Sequence, residues 1–233
     1  MTGTLINIAT VLLGGALGLL FSARLPERLR RTVIAGLGLF TLAFGLYNFL
    51  QTKNPLIVLG SLLVGALLGE WWKIEDGLQS LGRALERRFA SSTDDGSDRF
   101  VRGFLTASLV FCVGPMTILG SIQDGLTGDY HTLAIKAVLD GFAALAFAST
   151  LGVGVLFSVL VILVYQGGLS LFAAQLSGVV TDAMMSEMTA AGGVILMGIA
   201  ISSLLEIKPI RVGNFLPALL IAPLLVAIVE LLR

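Results

Sequence analysis

Cysteine and histidine are nearly missing from this chain of 233 residues, which has one of each, Cys112 and His131. A lone cysteine excludes an intrachain disulfide and a thiolate metal cluster, and a lone histidine excludes a histidine metal cluster. Charge is scarce too: 15 Lys and Arg balance 15 Asp and Glu, 13% of the chain, for a net charge of zero. The basic residues gather in a few short polar segments, so nothing points to nucleic acid. No glycine-rich phosphate loop follows a strand, and no serine stands in a nucleophile setting with a base. The chain is therefore read as not an enzyme, with no cofactor and no metal, and ATP-driven pumping would need a separate subunit.

What fills the chain is apolar surface: 56% hydrophobic residues and a mean hydropathy of +0.94. No ordinary soluble domain has this balance, so the protein is read as integral to a membrane. The apolar runs are continuous and rich in Leu, Ala and Gly, with no short alternating segments, which favours helices over a closed barrel. At about 20 residues per crossing the length allows seven or eight spans and no sizeable soluble domain. The fold class expected is all-α, a polytopic bundle forming one transmembrane domain over residues 1–233. MTGTLINIATVLLGGALGLLF carries no Lys or Arg before its apolar run and no small-residue cleavage pattern, so it reads as a retained first span.

Charges orient the spans. After the first (about Leu5 to Ser22) come Arg24, Arg28, Arg30 and Arg31 against one Glu27, marking the cytoplasmic side and leaving the N-terminus outside. Span two (about Val33 to Phe49) leads to an outer loop at Gln51 to Asn54, and Pro55 opens span three, which ends at Trp71, Trp72 and Lys73. From Lys73 to Phe89, Ile74, Leu78, Leu81, Leu85 and Phe89 recur at spacings of three and four, the pattern of an amphipathic helix lying on the inner surface or binding a partner. ASSTDDGSD, Ala90 to Asp98, reads as a flexible linker. Near the end, EIKPIRVGN separates spans Ala190 to Leu205 and Leu216 to Leu232, and Val179 to Met188 is expected outside. About eight spans with both termini external follow. Segment Val33 to Glu70 also resembles Val194 to Glu230 in pattern, the arrangement of an inverted repeat.

The stretch from Phe100 to Leu176 departs from smooth spans. Gly114-Pro115 interrupts one apolar run, about Phe104 to Ile122, and Gly152-Val153-Gly154 interrupts the next. Proline removes a backbone donor and glycine relaxes the chain, so each is a place for a helix to break. Ala137 to Leu176, with Asp140 its only charge, would reach about 60 Å as one rod, twice the hydrocarbon core, and must turn at Gly152 into two spans or a re-entrant hairpin. Broken helices meeting in mid-membrane are a common transporter construction, whereas the same residues elsewhere only kink or pack helices.

Uncharged polar groups flank the breaks: Thr106 and Ser108 before the first, Thr117, Ser121 and Gln123 after it, and Ser149 and Thr150 before Gly152. Asp140 stands four residues after Lys136, either a local ion pair with the lysine reaching outward or an acid facing a cavity. Asp124 is either a turn residue before Gly125 or its neighbour across that cavity. Asn7, Gln166 and Asn214 are embedded amides, and Gly14, Gly18, Gly65 and Gly69 have the small-xxx-small spacing of helix packing or homo-oligomer contacts.

GTLINIATVLLGGALGLLF, FCVGPMTILGSIQDGLTGD and LDGFAALAFASTLGVGVLFS together resemble the YqgA/YdfK-like family of bacterial membrane proteins. The resemblance implies a multi-pass protein of the bacterial plasma (inner) membrane and a transport role, and carries no substrate or site residues. The expectation is a gradient-coupled transporter of a small solute or ion, embedded in the lipid bilayer. Its path would be lined by Gly114, Pro115, Thr117, Ser121, Gln123, Asp124, Asp140, Ser149, Thr150, Gly152 and Gly154. A passive channel and a non-transporting scaffold are the alternatives.

Overall fold

The computed structural model describes residues 1–22, 26–89, 94–177 and 180–231. Among these the chain is helical and contains no strand. In order come α1 (Thr2–Ser22), α2 (Glu27–Phe49), α3 (Pro55–Trp72), α4 (Ile74–Phe89), α5 (Asp94–Cys112) and α6 (Pro115–Thr127). There follow α7 (His131–Leu151), α8 (Ser158–Leu171), α9 (Ala173–Ser177), α10 (Asp182–Ile199) and α11 (Ala218–Leu231). A 3-10 segment, Val153–Phe157, precedes α8, and a π segment, Ala200–Leu204, extends α10. Seven stretches among the described residues are long and apolar enough to cross a bilayer, and the α5–α6 pair, bent by 63°, makes an eighth when counted as one broken span.

The faces of the helices are sorted by size and polarity. On α1 the buried residues are Gly3, Thr4, Asn7, Val11, Gly15 and Gly18, while Leu13, Leu17 and Leu20 point outward. In lipid, outward leucine costs nothing and close backbone approach supplies the packing, so the small residues go inside. A Cβ on Gly14 would lie 2.0 Å from the Gly141 carbonyl oxygen, and one on Gly69 1.9 Å from that of Asn214. These glycine faces are thus used within the chain, α1 against α7 and α3 against the residues leading into α11.

Two compact units divide the chain: Met1–Gly36 with Gln79–Gly178, and Leu37–Leu78 with Val179–Arg233. The first holds α1, α5, α6, α7, α8 and α9, with α1 and α7 side by side and parallel, Gly3 meeting Leu133 and Gly18 meeting Leu145. The second is built from the two segments whose patterns resemble each other. Gly45 of α2 meets Gly193 of α10, and Gly38 meets Leu205. Ile57 of α3 packs with Val226 of α11, and Gly65 with Ala218. Both pairings are antiparallel, so the loops of the two hairpins lie at opposite ends of this unit.

Each loop is clamped by a carboxylate from the other hairpin. Glu187 of α10, 2% exposed, accepts from Thr52 Oγ1 at 2.5 Å, Lys53 N at 2.8 Å and Asn54 N at 2.9 Å. At the other end Glu70 accepts from Asn214 Nδ2 at 2.5 Å and Arg211 Nη1 at 3.0 Å, and Glu75 accepts from Gly213 N at 2.7 Å. Turn backbone buried in a membrane protein needs acceptors from the protein itself, which the buried Glu187 and Glu75 supply, while Glu70 is exposed and ties down side chains.

Several element boundaries differ from expectation. Of the linker Ala90 to Asp98, residues 90–93 lie outside the described residues, and from Asp94 onward the chain is already helical, so α5 starts four residues before the linker was expected to end. The run expected to end near Ile122 stays helical to Thr127, closed by Gly128 at φ 74°. In the segment Val179 to Met188, Val179 lies outside the described residues and α10 begins at Asp182, because Thr181 caps it through a side-chain bond from Met184 N. The turn at Gly152 separates arms of 21 and 19 residues, each long and apolar enough to cross a bilayer.

Candidate functional site

Asp140 and Lys136 do not pair at the surface. They lie one turn apart on α7, both buried, and the ammonium sits directly on Asp140 Oδ2. Lys136 does not reach outward as expected: it is 6% exposed and turned onto Asp140, which also holds Asn7 of α1. Asn7, fully buried on α1, donates from Nδ2 to Asp140 Oδ2 and to Gln166 Oε1 of α8, each at 3.0 Å. Gln166, 1% exposed, donates from Nε2 to Thr4 Oγ1 at 3.3 Å. A carboxylate only accepts, which fixes the Asn7 amide with its nitrogen toward Asp140. Its Oδ1 is left with no partner among the described residues. Five side chains from three helices thus form one charged, amide-linked network in the interior of the first unit.

This network forms because the faces that helical periodicity brings together are polar. Thr4 and Asn7 are three residues apart on α1, Lys136 and Asp140 four apart on α7, and Gln166 and Ser170 four apart on α8. An unpaired charge or amide in a low-dielectric interior costs several kcal/mol, so mutual pairing of the whole set holds the three helices in register.

The first helix break lies beside this network. Gly114 takes φ 148°, a conformation that glycine reaches without strain, and Pro115 opens α6 where its missing N–H costs nothing. Thr117 Oγ1 donates back across the break to the Phe111 carbonyl at 3.3 Å, and Ser121 Oγ to that of Thr117 at 2.5 Å. Just before the break, Phe111 of α5 lies against Phe147 of α7, the helix that carries the charged pair, with ring centroids 6.2 Å apart. One helix further along, Gln123 Oε1 accepts from Thr132 Oγ1 at 2.8 Å. Asp124 is neither a turn residue nor a partner of Asp140: it is buried within α6 and accepts at the start of α1, from the Met1 amine at 3.0 Å and Gly3 N at 3.1 Å. Its Oδ1 and the Ser170 hydroxyl are both buried without a partner among the described residues, as are those of Thr106 and Ser108.

The second break is elsewhere. Gly152 (φ 86°) ends α7, and Gly154 presses against the Phe100 carbonyl near the start of α5, where a Cβ would come to 2.0 Å. From Phe100 to Cys112 a helix rises about 18 Å, so the two breaks stand at opposite ends of the buried part of α5 and do not face each other. Proximity in sequence to a glycine pair carried no information about depth. Here Arg30 Nε and Arg99 Nε both donate to the Thr150 carbonyl, at 2.7 and 3.2 Å, capping the negative end of α7 with cations. Ser149 and Thr150 bond back to the carbonyls of Ala146 and Phe147.

An apolar groove of about 760 Å³ between α4 and α8, lined by Leu81, Leu160, Val164, Leu169 and Phe172 among others, contains none of the expected path residues. Among the described residues no three His, Cys, Asp or Glu side chains gather as a metal site would require. Of the network, Asn7 and Gln166 were visible in the sequence only as embedded amides. The signal that joins them to Asp140 is the shared polar face of three otherwise apolar helices.

A helical multi-pass membrane protein with a charged pair and an amide chain sealed between its helices is the class that these features define. The chain belongs to the family described as Protein of unknown function (DUF554), which matches residues 2–227. It is 36% identical to the Uncharacterized protein YqgA of Escherichia coli strain K12 over 94% of each chain. It is 29% identical to the Uncharacterized membrane protein YdfK of Bacillus subtilis strain 168, over 99% of this chain and 97% of that one. No solved structure matches.

Proposed function

We infer that this protein is a gradient-coupled transporter of a small solute or ion in the bacterial inner membrane, and that the Asp140 network is its working centre. The observation that carries the reading is the Lys136–Asp140 pair, buried and joined to Asn7 and Gln166 from two other helices. Ionisable groups in membrane spans are costly and recur where a substrate or proton passes. The helix break at Gly114-Pro115 beside this network adds freed backbone groups, as the half-helices of transporters do. The arginines at the starts of α2 and α5 support a cytoplasmic location for those ends and external termini. The chain performs no covalent chemistry in this reading.

Purified protein in liposomes, tested against a panel of cations, anions and neutral solutes, is expected to show saturable flux that falls in Asp140→Asn. Flux linear in concentration would mean a passive channel. A well-folded protein that moves nothing across the panel would overturn transport and leave a membrane scaffold, a role that its close glycine packing would suit.

A further inference from the structure

We propose that the network couples one proton to one small monovalent anion: Asp140 takes the proton, and Lys136, released from it, holds the anion. This deepens the transport reading above and rests on it.

The amide chain has a direction, and that direction can reverse. With Asp140 ionised, donation runs from Asn7 Nδ2 to both Asp140 and Gln166, and from Gln166 Nε2 to Thr4. A proton on Asp140 makes its carboxyl a donor that needs an acceptor. Turning the Asn7 amide over puts Oδ1, now unpartnered and fully buried, in position to accept from it. Turning Gln166 over lets its Nε2 donate to the same Oδ1, while the Thr4 hydroxyl donates to Gln166 Oε1. Every bond in the chain is remade with donor and acceptor exchanged. The Asn7 NH2 then occupies the place where Oδ1 had no partner, as a free donor.

Charge requires the rest. The ionised pair is neutral as a whole, but protonation of Asp140 leaves the Lys136 ammonium alone in a low-dielectric interior, which is untenable without a new counter-ion. A monovalent anion restores neutrality, so one H+ and one A− enter together and no net charge moves. The ammonium and the freed Asn7 amide are the donors an anion wants, and one turn from Gln166 on the same face of α8 the Ser170 hydroxyl is also without a partner among the described residues. A metal cation would meet the ammonium and a single carboxylate. The groups on Asp140 are Lys136 from its own helix and uncharged Asn7 from α1, so Lys136 is the charged one. Asp124 of α6 is held at the start of α1 through Oδ2, with Oδ1 left unpartnered among the described residues.

The test uses the purified full chain and three probes, sodium chloride, sodium nitrate and sodium lactate, each against sodium gluconate. In wild type at least one probe raises the thermal unfolding midpoint in detergent, more at pH 5 than at pH 8. Asp140→Asn, which mimics the protonated acid, gains that stabilisation at both pH values, and Lys136→Gln loses it. In liposomes with a trapped pH dye the same anion drives proton influx that is unchanged when potassium and valinomycin clamp the voltage. Lys136→Gln lowers that influx roughly tenfold or more, the worth of one charge-assisted bond. Asp140→Asn keeps anion exchange but moves no protons. Stabilisation of wild type that is equal at both pH values, or transport of a cation or neutral solute alone, overturns the proton–anion coupling while leaving transport intact. Absence of all flux with folded protein overturns both.

Discussion

Asp140 and Lys136 depend on each other, and that dependence is measurable as stability. Removing one member of a buried pair strands the other, so Asp140→Asn or Lys136→Gln alone is expected to cost about 3–5 kcal/mol. The double variant leaves no stranded charge and should lose much less than the sum. Chemical unfolding of the four proteins in mild detergent, read as a double-mutant cycle, checks this; additive losses would mean that the two side chains do not interact. Asn7→Ala removes two donors at once and exposes Gln166 Oε1 and Asp140 to an unfilled gap. It should cost about 2–4 kcal/mol, more than Asn7→Asp would if that carboxyl were protonated and donating in its place.

Elements are held by close approach at some glycines and by backbone geometry at others. Gly14→Ala would drive a methyl into the Gly141 carbonyl and force α1 from α7, whereas at Gly36 no atom lies within 4 Å of the new Cβ. Folded yield after detergent extraction is expected to collapse for Gly14→Ala and to stay at the wild-type level for Gly36→Ala. Gly152→Ala acts differently, through φ 86°, and should cost about 1–2 kcal/mol by straining the turn between α7 and α8. The loop between α2 and α3 rests on Glu187, whose two oxygens take three donors. Glu187→Gln replaces charge-assisted acceptance with one neutral oxygen and a misplaced donor, at about 1.5–3 kcal/mol. Hydrogen exchange at Lys53 and Asn54 should quicken in that variant while exchange at Gly213, held by Glu75, stays unchanged.

At the scale of the molecule the prediction concerns sidedness. In the unit built from Leu37–Leu78 and Val179–Arg233, the loop at Gln51–Asn54 and the loop at Glu206–Arg211 lie at opposite ends. With Cys112 replaced by alanine, Gln51→Cys should react with a membrane-impermeant thiol reagent in intact cells, and Lys208→Cys only after the membrane is opened. Labelling of both from one side would contradict the two-hairpin arrangement. The opposite pattern would invert the orientation proposed from the arginines without disturbing the fold.

Composition and run length determined that this chain would be helical and membrane-embedded, because a bilayer accepts only segments that satisfy their own backbone. Local chemistry determined the punctuation as well: Asn54-Pro55 starts α3, Gly114-Pro115 breaks the fourth span, and Gly152 turns the chain. These are short-range effects, written within a few residues. Which polar side chains meet was decided by tertiary structure alone. Asn7 and Gln166 are 159 positions apart, and only the packing of α1 against both α7 and α8 links them, through Asn7, to Asp140. The same packing drew Asp124 to the start of α1 and put the two helix breaks at opposite ends of α5. Contact between distant residues depends on which faces small side chains allow to touch, and periodicity along a single helix does not carry that information.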